Sequence, residues 1–234
     1  MFFLQVPGVI DTLQNLQNTA EAVMPQAQAT NALDLAIKGG WIMIVLLILL
    51  LLSVYVLIER IMIIRKAGQQ DGSFMNRIKD YILEGKINSA LTLCKQTNSP
   101  TARMVEKGIT RLGRPQKEIS EAIENAGNIE IAKLEKGLPI LATTVAGAPM
   151  IGFLGTVTGM VKAFMSMANA GANVNVGILS TGIYEALITT VGGLIVGIIT
   201  LFAYNYLTTR IKGIVTKMEM NIMEFMDILN EPTE

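Results

Sequence analysis

The chain contains no histidine, so the commonest metal ligand and the usual general base near neutral pH are both missing. Its single cysteine, Cys94, excludes an internal disulfide and a cysteine-rich metal site, and is expected to be a small apolar residue on a helix. Nineteen Lys and Arg balance nineteen Asp and Glu, and this zero net charge offers nucleic acid no overall positive field. Charged residues make up only 16% of the chain, and no glycine-rich phosphate loop is present. These gaps argue against an enzyme of the familiar soluble kinds, against a resident cofactor or metal, and against a nucleic-acid partner. Internal repeats are also absent.

What the chain has in excess is apolar surface. Hydrophobic residues reach 51% and mean hydropathy is +0.46, which places it among membrane proteins. Residues 1–38 lack the basic start and uninterrupted apolar core of a good secretory signal. Val9, Ile10, Leu13, Leu16 and Ala20 recur near helical spacing, so an amphipathic helix on the outer membrane surface is expected. The first span occupies 39–64, where Trp41 opens an uncharged apolar run to Ile58 and Arg60, Arg65 and Lys66 close it. Its Leu- and Ile-rich composition suits a helix that faces lipid over much of its surface.

Residues 65–138 carry thirteen of the nineteen basic residues, which puts this region in the cytoplasm, the N-terminus outside and the C-terminus inside. Two short helices separated near Glu84-Gly85-Lys86 are expected over 73–95, and a third from Ser99-Pro100, interrupted at Arg111–Pro115. From Gln116, the apolar stripe Ile119, Ile123, Ala126, Ile129 alternates with a charged, solvated face containing Glu118, Glu121, Glu124, Glu130 and Glu135. This helix is expected to run on through Lys136 into a second span over 139–168, with a kink at Gly137–Pro139. A short link, 169–177, leads to a third span over 178–209. A C-terminal helix over 210–234 bears the stripe Ile211, Met218, Ile222, Phe225, which should pack on the 100–138 region or on another subunit. The fold class is therefore an all-α membrane protein with three transmembrane helices and long cytoplasmic helical extensions.

The second and third spans are not plain anchors. Gly147, Gly152, Gly155 and Gly159 punctuate the second, with Thr156 and Thr158 among them, and such small residues let helices approach closely. In the third, Thr181, Glu185, Thr189, and Gly192 or Gly193 follow one face, with Thr190 beside it. Most of these threonines would be satisfied by bonding to their own i−4 carbonyls. Glu185 is harder to absorb, because an isolated carboxylate at the bilayer centre costs about 3 kcal/mol or more. Lys162 lies near the same outer end and is either a partner for Glu185 or a snorkelling charge. Three helices with one polar face cannot enclose a hydrated route, so any route must be shared between subunits. A transporter would more often show inverted repeats or broken helices. A non-conducting scaffold would have no use for the threonine-rich face.

Two motifs carry a resemblance. Ala148-Pro149-Met150-Ile151-Gly152-Phe153-Leu154-Gly155-Thr156-Val157 and Gly182-Ile183-Tyr184-Glu185-Ala186-Leu187-Ile188-Thr189-Thr190 resemble the paired motifs of the ExbB/TolQ/MotA proton-channel family. The resemblance is close over 139–209 and looser over 40–230. It implies an ExbB- or TolQ-like subunit of an inner-membrane motor, multi-pass in the bacterial inner membrane and assembled as a homopentamer. Its implied partners are an ExbD/TolR-like single-span protein with a membrane Asp, and a TonB-like protein. Thr156, Glu185 and Thr190 match the family's functional positions by register. Lys162 and the extension 1–38 depart from the family pattern.

Overall fold

The computed structural model describes residues 39–68, 72–169 and 176–230. The expected amphipathic segment 1–38 and most of the 169–177 link lie outside these residues. Among the described residues there are seven α-helices and no strand: α1 (Gly40–Gly68), α2 (Phe74–Leu83), α3 (Ile87–Gln96), α4 (Pro100–Ile109), α5 (Gln116–Glu135), α6 (Leu138–Asn169) and α7 (Val176–Asn230). α1, α6 and α7 are each long and apolar enough to cross a membrane.

α1 and α7 run parallel, with α6 antiparallel to both. Met43 and Leu46 of α1 meet Gly192, while Val56 and Ile64 share a cluster with Leu207 and Ile211 further along. On the other side of α7, Gly159, Gly152 and Pro149 of α6 stand opposite Ala186, Gly193 and Gly197 in turn. α1 buries one narrow stripe, Ile42, Leu46, Ser53, Val56, Arg60 and Ile64, and leaves Ile44, Leu47, Ile48, Leu51, Tyr55 and Ile58 exposed, as a lipid-facing helix should.

Helices α2 to α5 fold against the far half of α7. At about 1.5 Å per residue the 55 residues of α7 reach roughly 80 Å, long enough for a membrane span and a stalk beyond it. Met218, Phe225 and Ile228 of that stalk join Ile78, Cys94, Val105, Ile109, Ile119 and Ile123 in one core. The expected breaks are all present. Gly85 (φ +69°) separates α2 from α3, and the Ser99 side chain accepts from the Ala102 amide at 3.2 Å to cap α4. Burial pushes the Cys94 thiol up to about 12, as befits an inert core residue.

Two expectations are corrected here. α5 does not run on into the second span: it ends at Glu135, and Gly137 turns the chain with φ +90° before α6 begins at Leu138. Buried Arg60 of α1 holds this break, donating through Nη1 to the Lys133 carbonyl at 3.2 Å and through Nη2 to Glu59 at 2.6 Å. The other correction concerns the faces of α5. Ile129 is 58% exposed, whereas Glu130, assigned to the solvated face, is 5% exposed.

Glu130 is buried because it is paired: Arg103 donates to Oε2 at 2.5 Å and Lys133 to Oε1 at 2.7 Å. Burial alone would raise its pKa, but the hydrogen bonds and charges of Arg103 and Lys133 outweigh it and hold the carboxyl below the ordinary carboxylate value. A depressed folded-state pKa stabilises above the unfolded value and ceases to do so as pH falls through the folded one. Glu130→Gln is therefore expected to lower the stability of this helical core by about 1–2 kcal/mol at pH 7. Denaturant titrations should show the gap to the parent closing below about pH 4. A gap constant with pH would show that Glu130 stabilises by packing alone.

Candidate functional site: the α6–α7 seam

The glycines determine the geometry of this seam. A Cβ on Gly152 would stand 2.8 Å from the Thr189 carbonyl oxygen, and one on Gly193 would stand 2.5 Å from the Ala148 carbonyl oxygen and 2.9 Å from the Gly152 Cα. At Gly155 it would collide with the Thr189 side chain, and at Gly159 it would lie 3.0 Å from the Ala186 Cβ. Without side chains at these points the two backbones approach closely enough for hydroxyls to reach across. Gly192 packs instead on Met43 of α1. Gly147 takes no part in this seam: a side chain there would meet nothing within 4 Å among the described residues.

The threonines sort into two groups. Thr143, Thr144, Thr158, Thr181, Thr200, Thr208 and Thr209 donate to the carbonyl four residues back on their own helix. Thr156, Thr189 and Thr190 reach across the seam. Thr156 Oγ1 donates to the Ala186 carbonyl at 3.2 Å, and Thr190 Oγ1 to the Gly152 carbonyl at 3.2 Å. The two hydroxyls also hydrogen-bond to one another. Thr189 is 2% exposed and donates to Ala186 at 2.7 Å and Gly152 at 3.3 Å. Its hydroxyl is thus enclosed by the packing, whereas Thr156 and Thr190 are only half-buried. Two protons shared among three contacts give the Thr156–Thr190 pair more than one donor arrangement, which is the property needed to orient water or a carboxyl group.

Glu185 stands elsewhere on α7. An ideal Cβ at Gly40 would lie 3.0 Å from Glu185 Oε1, so this carboxylate is half-buried beside the first turn of α1. Thr190 lies five residues further along, about 140° round the helix and about 7.5 Å along its axis. The face expected to hold Thr181, Glu185 and Thr189, with Thr190 beside it, meets two neighbours: Glu185 borders α1, whereas Thr189 and Thr190 bond across to α6. Lys162 is exposed and forms no ion pair with Glu185. Thr181 is exposed as well. Among the described residues no cluster of His, Cys, Asp or Glu could hold a metal ion.

The level of Glu185 could not be read from the sequence. α7 begins at Val176, so about 13 Å of helix precedes Glu185, and α6 runs about 15 Å past Gly159, which faces Ala186. The α6–α7 pair therefore extends well beyond the start of α1, and Glu185 is level with Gly40 and Trp41.

A three-span helical protein whose cross-helix hydroxyls converge on one glycine-lined seam is a membrane-embedded polar assembly. Comparison with known proteins gives the family. The profile of the MotA/TolQ/ExbB proton channel family matches residues 96–220. The chain is 30% identical to the Tol-Pal system protein TolQ of Haemophilus influenzae over 225 residues, 86% of this chain and 94% of that protein. It is 30% identical over 164 residues to a putative biopolymer transport protein ExbB homolog of Methanothermobacter thermautotrophicus, covering 70% of this chain but 58% of the relative. It is 28% identical over 185 residues to ExbB-like protein 1 of Synechocystis, covering 78% of this chain and 72% of the relative. The chain belongs to the MotA/TolQ/ExbB proton channel family.

Proposed function

We propose that this chain is the proton-channel subunit of an inner-membrane motor that converts proton motive force into work on the cell envelope. The Thr156–Thr190 pair carries this reading, because it is a half-buried polar contact between two spans on a side that no described helix covers. In the proposed assembly, a homopentamer brings five such seams round the membrane helices of an ExbD/TolR-like partner, whose Asp receives the proton. With Trp41 at the outer interface, Glu185 lies at the outer rim of the hydrocarbon layer and the threonine pair lies below it. Glu185 then collects protons at the entrance, and Thr156 and Thr190 orient water or the partner's carboxyl group further in. Thr189, and the glycines at 152, 155, 159 and 193, hold the seam closed. Each proton moving down the membrane potential supplies about 2.3 kcal/mol per 100 mV. The termini follow the basic-residue bias, with the N-terminus periplasmic and the C-terminus cytoplasmic.

The ExbB-like role, energising TonB-dependent outer-membrane transport, is supported by the names of several relatives. The alternative, a TolQ-like role in a Tol-Pal-type system, is favoured by the near full-length alignment with a TolQ protein. Deleting the gene separates them: loss of energised uptake with an intact envelope marks the first, and detergent sensitivity marks the second. Proton flux in proteoliposomes tests the motor itself. Flux should require the partner, and Glu185→Ala should reduce it about tenfold or more while the complex still assembles. Unchanged flux would remove Glu185 from the pathway, and no flux from a correctly assembled complex would favour a scaffold.

A further inference from the structure

Where α1 and α7 leave the membrane on the basic side, a groove of about 780 Å³ separates them. Its walls include Ile61 and Leu207, and Arg65, Arg210 and Lys217 line it, with no acidic side chain among the described lining residues. None of these three cations forms an ion pair with a described residue. Arg210 instead lies over the Tyr206 ring, 5.3 Å from its centroid. One turn towards the membrane from Tyr206, Phe202 is 71% exposed. The groove thus has a cationic end at the stalk and an apolar end continuous with the surface that faces lipid. A neighbouring hollow carries Glu224 beyond Lys217, so the uncompensated positive charge is confined to the mouth.

We propose that this groove binds an anionic phospholipid of the cytoplasmic leaflet. Its phosphate is held by Arg65, Arg210 and Lys217, and its acyl chains lie against the apolar walls. The argument is one of complementarity. Three cations with no ion pair among the described residues, set from the hydrocarbon boundary outwards along the stalk, attract a negative headgroup, each contributing on the order of fivefold in affinity. The guanidinium groups match phosphate oxygens two at a time. A soluble anion would use the cations alone and would leave the apolar walls uncovered. The lipid would also tie the inner end of α1 to the start of the stalk, next to the Arg60 contact that holds the α5–α6 break.

The test uses the purified full-length protein in detergent, titrated with phosphatidylglycerol or phosphatidylcholine and read by native mass spectrometry, with inorganic phosphate as competitor. The protein should retain phosphatidylglycerol over phosphatidylcholine. The triple variant Arg65→Gln/Arg210→Gln/Lys217→Gln should bind phosphatidylglycerol about a hundredfold more weakly. Lys217→Gln alone, on the soluble stalk, should weaken it about fivefold, which keeps the test usable if the triple variant misassembles. Arg65→Lys/Arg210→Lys should restore most of the binding. Equal retention of the two lipids, or unchanged binding by the glutamine variants, would overturn the proposal. Displacement of the lipid by millimolar phosphate would mark a soluble-anion site and also overturn it. Efficient disulfide formation between Gly213→Cys copies would put a second subunit in the groove, with the same consequence.

Discussion

Replacing Thr190 with valine is expected to reduce partner-dependent proton flux by about a hundredfold while leaving the complex assembled. Valine keeps the shape of threonine and removes only the hydroxyl, so the close approach of α6 and α7 survives. What is lost is the donor to the Gly152 carbonyl and the contact with Thr156. A hydrogen bond to a charged group contributes up to about 3 kcal/mol, and a barrier raised by that amount slows a step about a hundredfold. Thr156→Val should have the same effect, and the double variant should be little worse than either single one, because the two hydroxyls act as a pair. Thr190→Ser should retain most of the flux. The informative contrast is Thr181→Val, whose hydroxyl bonds only to its own helix and which should therefore be nearly neutral. Proteoliposome flux on all five variants checks the set. Normal flux in Thr190→Val, or equal losses in Thr181→Val and Thr190→Val, would break the link between cross-helix bonding and conduction.

A second large effect is expected at Gly193. A valine there would drive its Cβ into the α6 backbone at two points one turn apart, the Ala148 carbonyl oxygen at 2.5 Å and the Gly152 Cα at 2.9 Å. Backbone cannot swing aside as the end of a side chain can, so the helices must separate, and Thr189, Thr156 and Thr190 would lose their partners together. Overpacking costs about 1–3 kcal/mol before those bonds are counted, so the loss of stability should exceed about 3 kcal/mol. Gly147→Val is the matched control, since its side chain would meet nothing and should change stability by less than about 0.5 kcal/mol. Thermal unfolding of the two variants in the same detergent decides it. Equal transition temperatures would refute the claim that contact across the seam sets which glycines matter.

The three apolar helices, the shorter helices between the first two of them and most of their boundaries were legible because each depends on local chemistry. An apolar run of membrane length, a Ser-Pro helix start and a glycine at a left-handed turn carry their meaning in a few adjacent residues. The stalk stripe Ile211, Met218, Phe225 was legible for the same reason, since periodicity on one helix says which side is buried before it says against what. Glu130 was misread because spacing cannot reveal that Arg103, on a different helix, neutralises a carboxylate inside the core. The α5–α6 junction was misread because Gly137 permits a kink and a full break equally. Arg60, from a distant part of the chain, secures the break.

The motifs in α6 and α7 named the residues of the candidate site but not their relations. Thr156, Thr181, Thr189 and Thr190 are the same residue type in similar apolar surroundings. Whether a hydroxyl turns to its own helix or crosses to the next depends on how close the other backbone lies, and facing glycines on two helices set that distance. Sequence spacing likewise put Glu185 on one face with Thr181 and Thr189, because spacing fixes angles round one helix and not the position of its neighbours. The tertiary structure set α1 against Glu185 and left the threonine pair on the uncovered side. The amino-acid sequence by itself determined a three-span protein with polar groups in two of its spans. Which of those groups share a surface is a property of packing between helices, and only the assembled bundle decided it.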